Sequence, residues 1–136
     1  MKTQRLQMVS LFFGVIALAL LGNGSLSYGQ MGTLDGKIFS GEIGKKGRKT
    51  GGKDDLVFKE GKFRSTACDK FGFTEAPYTV KASGRDTIFE AEAVSAKEGT
   101  MKWTGTVKGN TATATVLWSK PDKPPTELWY KGKLTK

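Results

Sequence analysis

Apolar and polar residues alternate with period two over most of the second half of the chain. Between Thr100 and Val107, Met101, Trp103, Gly105 and Val107 fall on one face, and Thr100, Lys102, Thr104 and Thr106 on the other. Such alternation predicts a strand buried on one side, because successive side chains of a strand point to opposite faces. Gly109-Asn110 ends the run and reads as a two-residue hairpin turn. The next strand sets Ala112, Ala114, Val116 and Trp118 against Thr111, Thr113 and Thr115.

The same test finds further strands. Asp86–Ser95 carries Phe89, Ala91 and Ala93 against Glu90 and Glu92, with Ile88 and Val94 blurring the polar face. Glu127–Leu134 carries Leu128, Tyr130, Gly132 and Leu134 against Glu127, Lys131 and Lys133, and Trp129 falls on the polar side. Leu56 and Phe58, then Glu60-Gly61, then Phe63 and Ser65 predict a second tight hairpin. Tyr78, Val80 and Ala82 make a short strand, and Leu34–Ile43 the first one. No segment has a helical period; Thr66–Pro77 is the one stretch with room for a helical turn. About eight short strands in succession predict an all-β fold, a small up-and-down antiparallel barrel, with a two-sheet β-sandwich as the alternative. Closure favours the barrel because it removes edge strands. An outer-membrane barrel fits less well, since its strands need about 9–11 residues and aromatic girdles.

This succession of strands resembles the small lipocalin-like, or calycin-type, barrels over most of the chain. Gly36-Lys37-Ile38, with Phe39 beside it, stands where a lipocalin carries Gly-x-Trp. The resemblance implies a protein that binds or inhibits rather than one that catalyses.

The first residues follow a different pattern. Lys2 and Arg5 precede the unbroken apolar run Leu11–Leu21, and small or polar residues follow to Gln30. Positive, then apolar, then small is the order of a secretory signal peptide. The run of about 11 residues is short against the roughly 20 that a membrane-spanning helix needs. Ser27 and Gly29 fit a cut before Gln30, and Ser25 and Ser27 fit one before Tyr28; the first is preferred and gives a signal peptide over 1–29 and one barrel domain over 30–136. The expected product is exported, periplasmic or secreted, and not an integral membrane protein.

Composition sharpens this picture. The 136 residues hold 22 Lys and Arg against 13 Asp and Glu. Without Lys2 and Arg5 the basic count is 20, so the mature chain carries +7. An exported basic protein meets anionic envelope components or acidic proteins sooner than nucleic acid. There is no histidine, which excludes histidine metal ligation and the common Ser/Cys–His catalytic pairs. The single Cys68 has no intramolecular partner, so it is a buried small hydrophobe, a link between two copies, or a reactive thiol. The chain is expected to be a monomer or a Cys68-linked dimer without cofactor or metal, and not an enzyme.

Several groups of residues are candidates for function. Phe89, Trp103, Trp118 and Tyr130 share the inner face with small residues. They either enclose a small apolar ligand or fill the barrel. Phe71 and Phe73, in the irregular stretch after Cys68, plug one barrel end or line the mouth of a pocket. Lys45, Lys46, Arg48, Lys49 and Lys53 lie in a glycine-rich loop that contains no aromatic, with Asp54-Asp55 beside it as a partial counter-charge. The loop is a contact for an anion or partner, or a solvated connection. The outward Trp129, following the proline-rich Ser119–Pro125 loop, is a partner contact or a cover for a seam. Glu90 and Glu92 point the same way from one strand and read as an exposed polar face. The leading expectation is a binder of a small apolar ligand in the barrel interior. The alternative is an interaction module, such as an inhibitor or envelope assembly factor, that works through its loops.

Overall fold

The computed structural model describes residues 28–30 and 34–136. Its strands are β1 (Tyr28–Gln30), β2 (Ile38–Lys45), β3 (Gly52–Lys59), β4 (Lys62–Ser65), β5 (Ala76–Ser83), β6 (Asp86–Ser95), β7 (Gly99–Lys108), β8 (Thr111–Ser119) and β9 (Thr126–Leu134). A 3-10 helix (Thr66–Phe71) joins β4 to β5. From β2 onward each strand pairs antiparallel with the next, and β9 returns to β2 from Lys45↔Leu128 to Phe39↔Leu134. Eight strands thus close into the up-and-down barrel that the alternation predicts. β1 stands outside that ring and adds to β5 at Val80 and Lys81. The boundary expected before Gln30 falls within β1, and the apolar run Leu11–Leu21 lies outside the described residues. Among the described residues no helix is long and apolar enough to cross a membrane.

The predicted turns have the backbone that tight hairpins require. Glu60 and Gly61 both adopt positive φ, 52° and 78°, so the β3–β4 turn twists with its strands. The strand expected first, over Leu34–Ile43, needs correction: it is the second, β2, it begins at Ile38, and residues 34–36 form a turn. Gly36, at a φ of 91°, leaves the extended region. The turn is tied to the barrel by side chains. The Tyr78 hydroxyl donates to Asp35 Oδ1 at 2.7 Å and accepts the Leu34 N–H at 3.0 Å. The Asp35 carboxylate in turn accepts the Gly61 N–H at 3.0 and 3.1 Å. Leu34 is buried as a result and seals this end of the barrel, called here the lower end.

Rings fill the barrel centre. Phe58 lies within 4.9 to 6.1 Å, centroid to centroid, of Tyr78, Phe89, Phe63 and Phe39. Phe63 continues the stack to Trp103 at 4.9 Å, and Trp103 reaches Tyr130 at 6.2 Å. All seven rings are buried. Edge-to-face and tilted pairs of this kind add about 0.5–1.5 kcal/mol each beyond the area they bury. Glycines make the space. Gly105 pairs with Phe89 across β6 and β7, and a Cβ on Gly105 would overlap the Phe89 ring. A Cβ on Gly132 would overlap the Tyr130 hydroxyl.

Gly105→Ala is therefore expected to destabilise the fold by about 1–3 kcal/mol, the cost of overpacking a filled core. Gly52→Ala, where a Cβ meets nothing within 4 Å, is expected to stay within about 0.5 kcal/mol of the parent. Urea unfolding midpoints of the two variants check this, and equal midpoints would contradict the packing account.

Candidate functional site

Strand order brings the distant sequence features to the upper end of the barrel. The glycine-rich basic loop joins β2 to β3 there, the 3-10 helix joins β4 to β5, and the proline-rich loop joins β8 to β9. Between them lies a cleft of about 340 Å³. Its floor is Ile43, Met101, Trp118 and Leu128, its wall is Cys68 and Phe71, and Lys45, Lys53 and Lys70 stand at its margin. None of these three lysines forms an ion pair among the described residues.

Trp118 is held in place from several sides. Its indole N–H donates to the Glu98 carbonyl at 2.7 Å. The Lys120 ammonium sits 4.7 Å above its ring and also pairs with Glu98 at 2.8 Å. Phe71 and Phe73 pack on the indole at 5.8 and 6.2 Å. The two phenylalanines differ in exposure. Phe73 is buried and plugs the end, whereas Phe71 is 38% exposed and lines the mouth. The Ser95 hydroxyl, donating to the Phe71 carbonyl at 2.8 Å and accepting the Glu98 N–H at 3.1 Å, fixes this wall to the β6–β7 turn.

A buried polar cluster lies beneath the 3-10 helix, and the alternation alone could have found it. Asp54 shares the inward face of β3 with Leu56 and Phe58 and is wholly buried. It is therefore not a counter-charge for the basic loop. The Ser65 hydroxyl lies 2.7 and 2.8 Å from its two oxygens and donates to the carboxylate, and the Ala67 N–H donates at 3.0 Å. Burial pushes the Asp54 carboxyl up to about 6, opposed by those two hydrogen bonds. Next to the cluster, the Tyr130 hydroxyl donates to the Phe39 carbonyl at 3.1 Å and lies 3.4 Å from the Asp54 backbone carbonyl.

Cys68 Sγ lies 3.3 Å from the Ser65 hydroxyl and 3.5 Å from Met101 Sδ. The residue is only 5% exposed, and burial pushes its thiol up to about 11. A nucleophilic cysteine needs the opposite environment, so Cys68 packs as a small hydrophobe. Glu90 and Glu92 are exposed on the outer wall, across from Thr104 and Lys102. Among the described residues no three His, Cys, Asp or Glu side chains come together as metal ligands.

The inner-face aromatics separate into two groups. Phe89, Trp103 and Tyr130 belong to the packed centre, while Trp118 stands at the mouth. Trp129 lies on the outer wall, over the seam between β9 and β2. Its indole N–H is 3.0 Å from both the Lys45 and the Arg48 carbonyls, so it ties down the start of the basic loop. Lys46 is the loop cation with a carboxylate partner, Glu127, at 3.5 Å.

Asp54 makes stability depend on pH in an unusual direction. The folded protein keeps a proton that the unfolded chain releases between about pH 4 and pH 6. Stability is therefore expected to fall across that window as pH rises, by up to about 3 kcal/mol. Asp54→Asn keeps an acceptor for Ser65 and Ala67 and is expected to flatten this part of the profile. Chemical denaturation of both proteins at intervals from pH 4 to pH 7 checks it. An Asp54-dependent rise in stability over that range would contradict the assignment.

Comparison of the chain with protein-family models, with curated proteins and with solved structures finds no match to any of the three.

Proposed function

We propose that this chain is an exported, non-enzymatic binding protein whose ligand is a small apolar molecule seated at the upper mouth of the barrel, over Trp118, Met101 and Leu128. The mouth cleft carries the reading. Its volume of about 340 Å³ falls at the small end of the range of roughly 300–1,000 Å³ common for ligand pockets. Its floor is apolar and its lysines are confined to the margin, where the polar end of a ligand would face Lys45, Lys53 and Lys70.

The packed centre explains why the ligand sits at the mouth. Phe89 and Trp103 are in contact with their neighbours' rings, so the expected interior pocket moves up to Trp118 and Phe71. The resemblance to lipocalin-like barrels supports a binding role by analogy. Two further observations favour binding over catalysis. The one thiol is buried and held protonated, and Asp54 spends its acceptor capacity on Ser65 and Ala67. Export rests on the leader pattern of residues 1–29. The burial of Cys68 favours a monomer over a Cys68-linked dimer.

Titration with straight-chain alcohols of increasing length is expected to change tryptophan fluorescence in a saturable way. Trp118→Phe is expected to remove the response, and Trp103→Phe to leave it. A response that survives Trp118→Phe and vanishes with Trp103→Phe would put the ligand in the centre instead. The absence of any saturable response would reject the binding reading.

A further inference from the structure

The basic loop contains no aromatic of its own, but the fold supplies one from 81 residues away. Trp129 projects outward from β9, opposite Gly44 of β2. A Cβ on Gly44 would stand 2.7 Å from the indole, so the bare backbone there makes room for the ring. The indole N–H, bonded to the Lys45 and Arg48 carbonyls, fixes the loop along one side of the ring. On the other side the Lys131 ammonium lies 5.5 Å from the ring centre. Arg48, Lys49, Thr113, Trp129 and Lys131 border an open cleft of about 650 Å³ on the outer wall. No carboxylate lines it, and Arg48, Lys49 and Lys131 form no ion pair among the described residues.

We propose that this cleft is a binding site for an acidic polysaccharide, separate from the mouth. Lys131, which lies over the Trp129 ring, turns to a carboxylate of the ligand and opens the indole to one sugar ring, Thr113 offers a hydroxyl, and Arg48 and Lys49 meet carboxylates on neighbouring sugars. The cations suit such a ligand chemically, because guanidinium and ammonium groups pair with carboxylates without needing a preformed pocket. The setting of the ring argues against a membrane surface: a half-buried indole tethered to the Lys45 and Arg48 carbonyls does not insert among lipid chains as a protruding anchor does. It also argues against single-stranded nucleic acid, which is bound by successive aromatic platforms. Here a single half-buried aromatic, Trp129, serves the whole cleft.

The test uses the purified protein with a galacturonate hexamer as probe, followed by isothermal calorimetry at low salt. The hexamer is expected to bind, and a neutral glucose hexamer to bind at least tenfold more weakly. Binding is expected to weaken as salt rises, since exposed charges are screened. The triple variant Arg48→Gln, Lys49→Gln, Lys131→Gln is expected to lose about tenfold in affinity, with an unchanged melting curve because all three side chains are solvent-exposed. Trp118→Phe, at the mouth, is expected to leave the affinity as it was. Equal binding of the acidic and neutral hexamers, or an unaffected triple variant, would overturn the proposal. So would tighter binding of an oligonucleotide or of phosphatidylglycerol vesicles under the same conditions.

Discussion

An eight-stranded barrel encloses a cross-section that side chains can just fill, or that can hold one small ligand if they do not. The size of the inward residues decides which. In this chain Phe39, Phe58, Phe63, Tyr78, Phe89, Trp103 and Tyr130 pack ring against ring across the middle. That packing depends on glycines. Gly105 gives up its side chain to Phe89, and Gly132 gives up its own to the Tyr130 hydroxyl. With the centre filled, and the lower end closed by Leu34 and the Asp35–Tyr78–Gly61 hydrogen bonds, clefts are left at the upper mouth and on the outer wall.

The upper end is organised by a group that would be out of place in an ordinary core. Asp54 is buried among apolar side chains, and its carboxyl is correspondingly reluctant to ionise. What it provides is position. Its oxygens take the Ser65 hydroxyl and the Ala67 N–H, and so set the start of the 3-10 helix. That helix carries Cys68 and Phe71 into the wall of the mouth. A buried polar residue that costs stability while fixing local geometry is common at binding sites. Here it links core packing to the shape of the proposed pocket.

Much of the fold was legible from alternation, because period two survives wherever one face of a strand is buried. Gly99–Lys108 and Thr111–Ser119 follow the predicted faces residue by residue, with Thr104 opposite Thr115 and Gly105 opposite Ala114. The start of β2 is not legible, because the apolar Leu34, four residues before Ile38, imitates a strand start. Its burial comes from hydrogen bonds made by Tyr78, far along the chain. Asp54 was misread for the reverse reason: its charge and its neighbour Asp55 suggested solvent, although its parity with Leu56 and Phe58 pointed inward. The site was less legible than the fold. Trp118 and Trp103 have the same parity on neighbouring strands, and only the packing of Phe63 and Tyr130 separates a core tryptophan from a mouth tryptophan. The pairing of Trp129 with the basic loop follows from barrel closure, which no local pattern encodes.

The barrel combines a filled centre with an open mouth whose floor is apolar. Xenon tests this directly, because it enters dry apolar cavities without needing a chemical partner. In crystals pressurised with xenon, the gas is predicted to bind at the upper mouth beside Met101, Leu128 and Trp118, with none among Phe58, Phe63, Phe89 and Trp103. An ordered xenon atom within that ring stack, with the mouth empty, would contradict the account.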